Sequence, residues 1–178
     1  GENTISSAML QLTNDTTDNK FNPVKGSVLV GSLEVAGGPF GGDKDFAKFF
    51  NSMSRYSTIG PFVLELKLRD GIVSTYGGNN GAVPVYERFF AGGTYTIRGF
   101  KERDVGPKDQ SGDPIGGGTL AVANAELTFS LIENLKGAFF VDAGNVWPVP
   151  DSKPKGGISS GGIKVGVGTG VRIKTPIG

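Results

Sequence analysis

The chain has 178 residues, with 18 Lys and Arg against 17 Asp and Glu and no His, for a formal charge of +1. That balance excludes a strongly basic nucleic-acid binder and an acidic tail. The absence of Cys excludes a disulfide framework, a thiolate metal centre and a Cys nucleophile, and without His a Ser-His-Asp triad and most zinc sites go too.

Glycine is the compositional outlier, at 30 residues, more than twice its average share of about 7%. It follows no collagen-like period, and 12 Phe argue against a disordered linker. No run approaches the ~18 apolar residues of a membrane-spanning helix, and the first residues, Gly-Glu-Asn-Thr-Ile-Ser-Ser, lack the basic and apolar regions of a signal peptide. Neither observation speaks against a membrane β-barrel, whose strands are hidden in alternation.

Residues 4–14 read as a first strand. In 26–36, Leu29, Gly31, Leu33 and Val35 alternate with Val28, Val30, Ser32 and Glu34. Residues 44–57 read as a third strand, with no clear choice of apolar face. In 61–75 the alternation is cleanest: Phe62, Leu64, Leu66 and Leu68 share one face, and Val63, Glu65, Lys67 and Arg69 the other. In 118–132, Ala121, Ala123, Ala125, Leu127, Phe129 and Leu131 oppose Leu120, Val122, Asn124, Glu126, Thr128 and Ser130. In 135–147, Gly137, Phe139, Val141 and Ala143 oppose Lys136, Ala138, Phe140 and Asp142. In 162–175, Val165, Val167, Val171 and Ile173 alternate with Lys164, Gly166, Gly168, Gly170 and Arg172. Seven antiparallel strands are therefore expected. Most exceed the common five or six residues and suit a tilted barrel that crosses a bilayer.

The connections at Ser57–Pro61 and Ile132–Lys136 are short. Those at 14–25, 37–43, 76–117 and 148–161 are longer and rich in Gly, Pro, Asn and Asp. Short turns at one end and long loops at the other is the membrane-barrel habit. The 76–117 connection is far longer than ordinary loops, which marks it as functional or disordered. Trp147, Tyr56 and Phe62 at strand ends suit interfacial aromatics. Gly166, Gly168 and Gly170 sit on a strand face, where small inward residues are a better reading than a dinucleotide motif. Asp15, Asp18 and Asn19 could ligate Ca²⁺, but a turn rich in Asx residues explains them more simply. No cofactor and no metal is expected.

Strands 118–132 and 135–147 form a hairpin. Pairing Ile132 with Lys136 across a three-residue turn sets Glu126 directly opposite Asp142. A two-residue turn would put the apolar face of one strand opposite the polar face of the other. Two carboxylates so placed have Cβ atoms about 5 Å apart and repel, so a cation is expected between them. Arg172, on the polar face of the last strand, and Arg98, in the long loop, are the candidates, since a guanidinium forks well onto carboxylates. Gly99 would let the loop backbone approach the wall closely. Alternation alone also allows both acids to be solvated polar-face residues.

Three segments carry a resemblance. Residues 86–103, Tyr-Glu-Arg-Phe-Phe-Ala-Gly-Gly-Thr-Tyr-Thr-Ile-Arg-Gly-Phe-Lys-Glu-Arg, resemble the arginine-bearing loop of the BamA-type outer-membrane superfamily, also called the bacterial surface antigen family. Residues 139–147, Phe-Phe-Val-Asp-Ala-Gly-Asn-Val-Trp, resemble that family's penultimate motif strand. Residues 170–178, Gly-Val-Arg-Ile-Lys-Thr-Pro-Ile-Gly, resemble the start of its next motif. Order and spacing also match.

The resemblance implies an all-β, antiparallel transmembrane β-barrel in which the loop folds back into the lumen. Arg98, Gly99 and Phe100 would then anchor the loop on the lumen acceptors Glu126 and Asp142, with Arg172 as a possible secondary cation. It further implies a bacterial outer-membrane protein that is not an enzyme. Its partners would be the lipid bilayer, nascent outer-membrane proteins and assembly lipoproteins, with no nucleic acid. Against the family's sixteen strands, residues 1–178 look like a partial barrel of about seven, with the long lumen loop at 76–117 and without the periplasmic repeat domains and terminal strands. Open strand edges would then favour self-association. The other readings are an export pore for one secreted partner, a passive porin, and a soluble β-sandwich binding module, which alternation serves equally well.

Overall fold

Period-2 alternation over long segments produces seven strands and one sheet. The computed structural model describes residues 4–77, 82–149 and 161–173. The strands are β1 (Ser7–Asp15), β2 (Gly26–Ala36), β3 (Phe46–Ile59), β4 (Phe62–Thr75), β5 (Thr119–Ile132), β6 (Leu135–Trp147) and β7 (Lys164–Ile173). They pair in chain order as an antiparallel meander with no crossover. The third strand runs two residues later at both ends than the sequence suggested, because Gly60 (φ 58°) and Pro61 make the turn, not Ser57 to Pro61. The motif at 170–178 lies partly outside the described residues.

Cross-strand registers place Leu33, Phe49 and Ile72 in one row, and Leu29, Met53, Leu68, Ala123, Ala143 and Val165 in another. These rows form an outward apolar face, which many of its large side chains leave open to the surroundings. The register with β4 also settles β3: Ala47, Phe49, Met53 and Arg55 point outward. Tyr56 shares a row with Glu65 and Glu126. It therefore points inward and donates to Glu65 Oε1 at 3.0 Å, which corrects its reading as an interfacial aromatic.

The sheet is inside-out relative to a soluble sandwich. Its buried core lies on the polar-face side, where the long loop packs against the wall. Val83, Phe89, Ala91, Ile97 and Val105 of the loop meet Phe46, Val73, Leu120, Val122 and Val146 of the strands. Each fully buried apolar side chain contributes about 1.5–3 kcal/mol. The loop is thus seated by its own apolar residues, with one short 3-10 turn (Val85–Glu87) and isolated bridges in place of regular strands among its described residues.

The β5–β6 register differs from expectation. The turn holds only Glu133 and Asn134, with Ile132 opposite Leu135, and a β-bulge between Ser130 and Ile132 leaves Leu131 as an extra residue. One inserted residue restores the parity that a plain two-residue turn would violate. Asp142 consequently faces Asn124, and Glu126 faces Phe140. The two acids are diagonal neighbours on one face and do not form a direct pair. Cysteines at Ala123 and Ala143, which are opposed, should therefore form a disulfide readily on mild oxidation, because facing positions have the required Cα separation. Cysteines at 125 and 143, opposed in the three-residue-turn register, should not. The chain has no native Cys to interfere, and non-reducing electrophoresis reads the result.

The division of loops is also less clean than expected. The β1–β2 connection lies at the same end as the two short turns, yet it is long. It is held by side-chain oxygens on backbone amides: Asp18 Oδ1 spans the connection to accept from the Val24 and Lys25 amides, and Asn19 Oδ1 accepts from those of Phe21 and Asn22. Asn22 then accepts from Lys136 Nζ at 2.6 Å, which ties this connection to β6.

Candidate functional site

Three inward rows build the site. Tyr56, Glu65, Glu126, Phe140 and Gly168 form the first, Ser54, Lys67, Asn124, Asp142 and Gly166 the second, and Ser52, Arg69, Val122 and Gly144 the third. Glu65 and Glu126 face each other directly, and Asp142 is fully enclosed. Such a wall needs cations brought to it.

The long loop brings Arg98. Its guanidinium lies across both acids: Nε donates to Asp142 Oδ2 at 2.7 Å, Nη2 to Asp142 Oδ1 at 2.7 Å, and Nη1 to Glu126 Oε2. The Arg98 backbone amide adds a fourth bond, to Asp142 Oδ2 at 3.0 Å. All three guanidinium nitrogens donate, in a planar geometry that an ammonium could not match. The guanidinium carbon also stacks 3.7 Å from the centre of the Phe140 ring.

Asn124 fixes the other side of Asp142. Its Nδ2 donates to Asp142 Oδ1 and to the Thr96 carbonyl, each at 2.7 Å, and its Oδ1 accepts from Arg69 Nη2 at 2.7 Å. Thr96 in turn closes a small loop on Gly92 through its hydroxyl. Hence the loop backbone, and not only the Arg98 side chain, is bonded to the wall.

The close approach of loop and wall is permitted by Gly166, and not by Gly99 as the sequence suggested. A Cβ on Gly166 would stand 2.0 Å from the Arg98 carbonyl oxygen, whereas a Cβ on Gly99 would meet nothing within 4 Å. Gly99 serves a different need, a left-handed φ of 90° in the turn that follows Arg98. Gly168 similarly leaves room for the Phe140 ring, 2.6 Å from where its Cβ would be. Phe100 packs against the buried cluster, and its carbonyl accepts from the Gly93 amide at 3.0 Å.

Arg172 reaches the same constellation from β7. It donates to Glu126 Oε2 at 2.7 Å and Oε1 at 3.2 Å and does not touch Asp142. Its side chain is 49% exposed, against 0% for Asp142. Solvent therefore screens the Arg172 pair, and Arg172→Ala should cost about 1 kcal/mol or less. A denaturant midpoint read on the folded barrel checks this, and a loss as large as that of Arg98→Ala would contradict it.

Sequence reasoning missed Asn124, Phe140, Gly166 and Arg69 as members of the site. All four stood on the polar faces, so the alternation had already located them. The shifted register hid the pairing of Asn124 with Asp142. Beside the clamp, a cavity of about 160 Å³ is lined by Glu65, Lys67, Arg69, Thr94, Tyr95 and Arg98 among others. Asp15 and Asn19 each accept from the amide two residues on, as an Asx turn requires, and Asp18 accepts from the amides of Val24 and Lys25.

The arrangement has counterparts in known proteins. The Omp85 superfamily domain matches residues 1–178. Outer membrane protein assembly factor BamA of Nitratidesulfovibrio vulgaris is 44% identical over 128 residues, 71% of this chain and 16% of that protein. A SAM50-like protein of Schizosaccharomyces pombe is 32% identical over 133 residues, 74% of this chain and 28% of that one. The crystal structure of Haemophilus ducreyi BamA lacking POTRA domains 1–3 superposes with a TM-score of 0.81 at 21% identity, over 96% of this chain and 36% of that one. The chain thus spans well under a third of the length of these two curated relatives. The antiparallel meander, the outward apolar face and the full-length family match agree: the chain belongs to the Omp85 superfamily of outer-membrane β-barrels.

Proposed function

We propose that these strands form part of the wall of an outer-membrane barrel that inserts and assembles other outer-membrane proteins, with the long loop anchored inside through Arg98. The observation that carries this reading is the clamp of Arg98 on Asp142 and Glu126, made from the inward face while the opposite face is apolar. The clamp transfers no proton and breaks no bond. Its chemistry is positional: it holds a long loop in one seating inside a polar interior. The Nitratidesulfovibrio vulgaris relative, an outer membrane protein assembly factor, supports the rest. The partners are nascent outer-membrane proteins, the lipid bilayer and assembly lipoproteins. Nothing in the reaction calls for a cofactor.

The test is a complete barrel carrying these strands, reconstituted in liposomes and offered an unfolded eight-stranded outer-membrane protein. Faster folding than in empty liposomes, read by heat-modifiable migration, is the expected result. Folding no faster than in empty liposomes, with passage of a single secreted partner, would instead mean an export pore.

The isolated chain should also self-associate. β1 and β7 close the two ends of the described sheet, and unpaired backbone edges beside an apolar face are costly in lipid and adhesive in water. A monodisperse monomer by light scattering in detergent-free buffer would contradict this expectation.

A further inference from the structure

The outward face of the described strands carries two charged side chains, Arg55 and Asp70, in a mostly apolar and small-residue surface. Asp70 is satisfied by the Asn51 side-chain amide at 2.9 Å. Arg55 is exposed, and among the described residues no carboxylate pairs with it. A charge facing lipid is unfavourable without a partner or an escape to the interface.

Beside Arg55 the surface is hollowed. Ala123, Ala125 and Ala143 are neighbours on β5 and β6, bordered by Leu66 and Leu68 on β4 and by Val141 on β6. The small residues leave an apolar trough of about 420 Å³, lined also by Met53 and Arg55. Arg55 faces Leu66, which faces Ala125, so the guanidinium stands at the trough's edge. A hollow of this kind in a lipid-facing wall accepts a chain, not a headgroup.

The height of Arg55 chooses the leaflet. It lies four residues before Ile59, the last residue of β3, at the end with the two short turns. That is about 13 Å of strand, less along the membrane normal because barrel strands tilt. A long arginine side chain at this depth can extend to the headgroups of the leaflet on the short-turn side, which in such barrels is periplasmic.

We propose that the trough binds an acyl chain of an anionic glycerophospholipid of the periplasmic leaflet, with Arg55 holding its phosphate. A guanidinium pairs two phosphate oxygens at once, and a headgroup without its own ammonium leaves that phosphate free for it. The proposal needs the outward face to meet lipid and is independent of the assembly activity.

The experiment is photolabelling of a complete barrel carrying these strands, in bilayers doped with phosphatidylglycerol, phosphatidylcholine or a lipid A, each with a photoreactive acyl chain. Labelled peptides are mapped by mass spectrometry. Phosphatidylglycerol should label residues around Ala123, Ala125, Val141 and Ala143 several-fold more than phosphatidylcholine. Arg55→Gln should bring the two to equal labelling, and Ala125→Leu, which fills the trough, should lower both there. Heat-modifiable migration confirms that each variant is folded. Equal labelling by the two phospholipids in the wild type, an Arg55→Gln barrel with undiminished preference, or stronger labelling by the lipid A would each overturn the proposal.

Discussion

Arg98→Ala should release the 76–117 loop and raise its cleavage by a soluble protease by about two to three orders of magnitude. The substitution removes three side-chain bonds to two carboxylates and the stacking on Phe140. It also strands Asp142, whose side chain is fully buried, beside Glu126, which is nearly so. Arg172 remains to neutralise Glu126, but Asp142 keeps only the amide of Asn124 and the Arg98 backbone N–H. Removing one partner of a buried ion pair typically costs about 3–5 kcal/mol. Proteolysis of a loop that reopens quickly follows the population of the open form, so this energy appears directly in the rate. Arg98→Lys should recover part of the loss, because it restores the charge without the fork. Lys101→Ala is the control: Lys101 is exposed in the same loop and should cleave as the wild type does. The comparison is limited proteolysis of a complete barrel in detergent. Equal rates for wild type, Arg98→Ala and Lys101→Ala would mean that no anchor exists.

Gly166→Ala should unseat the same loop while leaving every charge in place. The new Cβ would lie 2.0 Å from the Arg98 carbonyl oxygen and 3.2 Å from its carbonyl carbon, both backbone atoms that cannot turn aside. Either the loop retreats or β7 is displaced, and overpacking of this kind typically costs about 1–3 kcal/mol. Retreat would also stretch the bond from the Arg98 amide to Asp142. Cleavage of residues 76–117 should therefore rise about tenfold, less than for Arg98→Ala. Gly162→Ala, where a Cβ meets nothing within 4 Å, should leave cleavage unchanged. If Gly166→Ala and Gly162→Ala behave alike, the loop does not sit against β7 as described. The two variants also separate causes: one removes the charge pairing with the space intact, the other removes the space with the charges intact.

The strands and their faces were legible because alternation is local. Phe62, Leu64, Leu66 and Leu68 had to share a face whatever the rest of the chain did, and the inward placement of Glu126 and Asp142 followed from the same period. β3 resisted this reading because Asn51 and Arg55 interrupt its outward face, and only its register with β4 decided the matter. Register itself was not local. A single extra residue at Leu131 shifted every β5–β6 pair and placed Asn124, not Glu126, opposite Asp142; a bulge is a compromise between turn and parity that the sequence does not announce.

Arg98 could be proposed as the cation from charge balance and resemblance, since two acids on one face need one. That its backbone amide also binds Asp142, and that Gly166 is the residue making room for it, depends on atoms that lie far apart in the chain and meet only when the loop folds onto the wall. Sequence by itself determined which side chains of a strand share a face, because pleating forces it. Tertiary structure decided which of them touch, because that depends on register and on loop seating, and both are set by packing across the whole sheet.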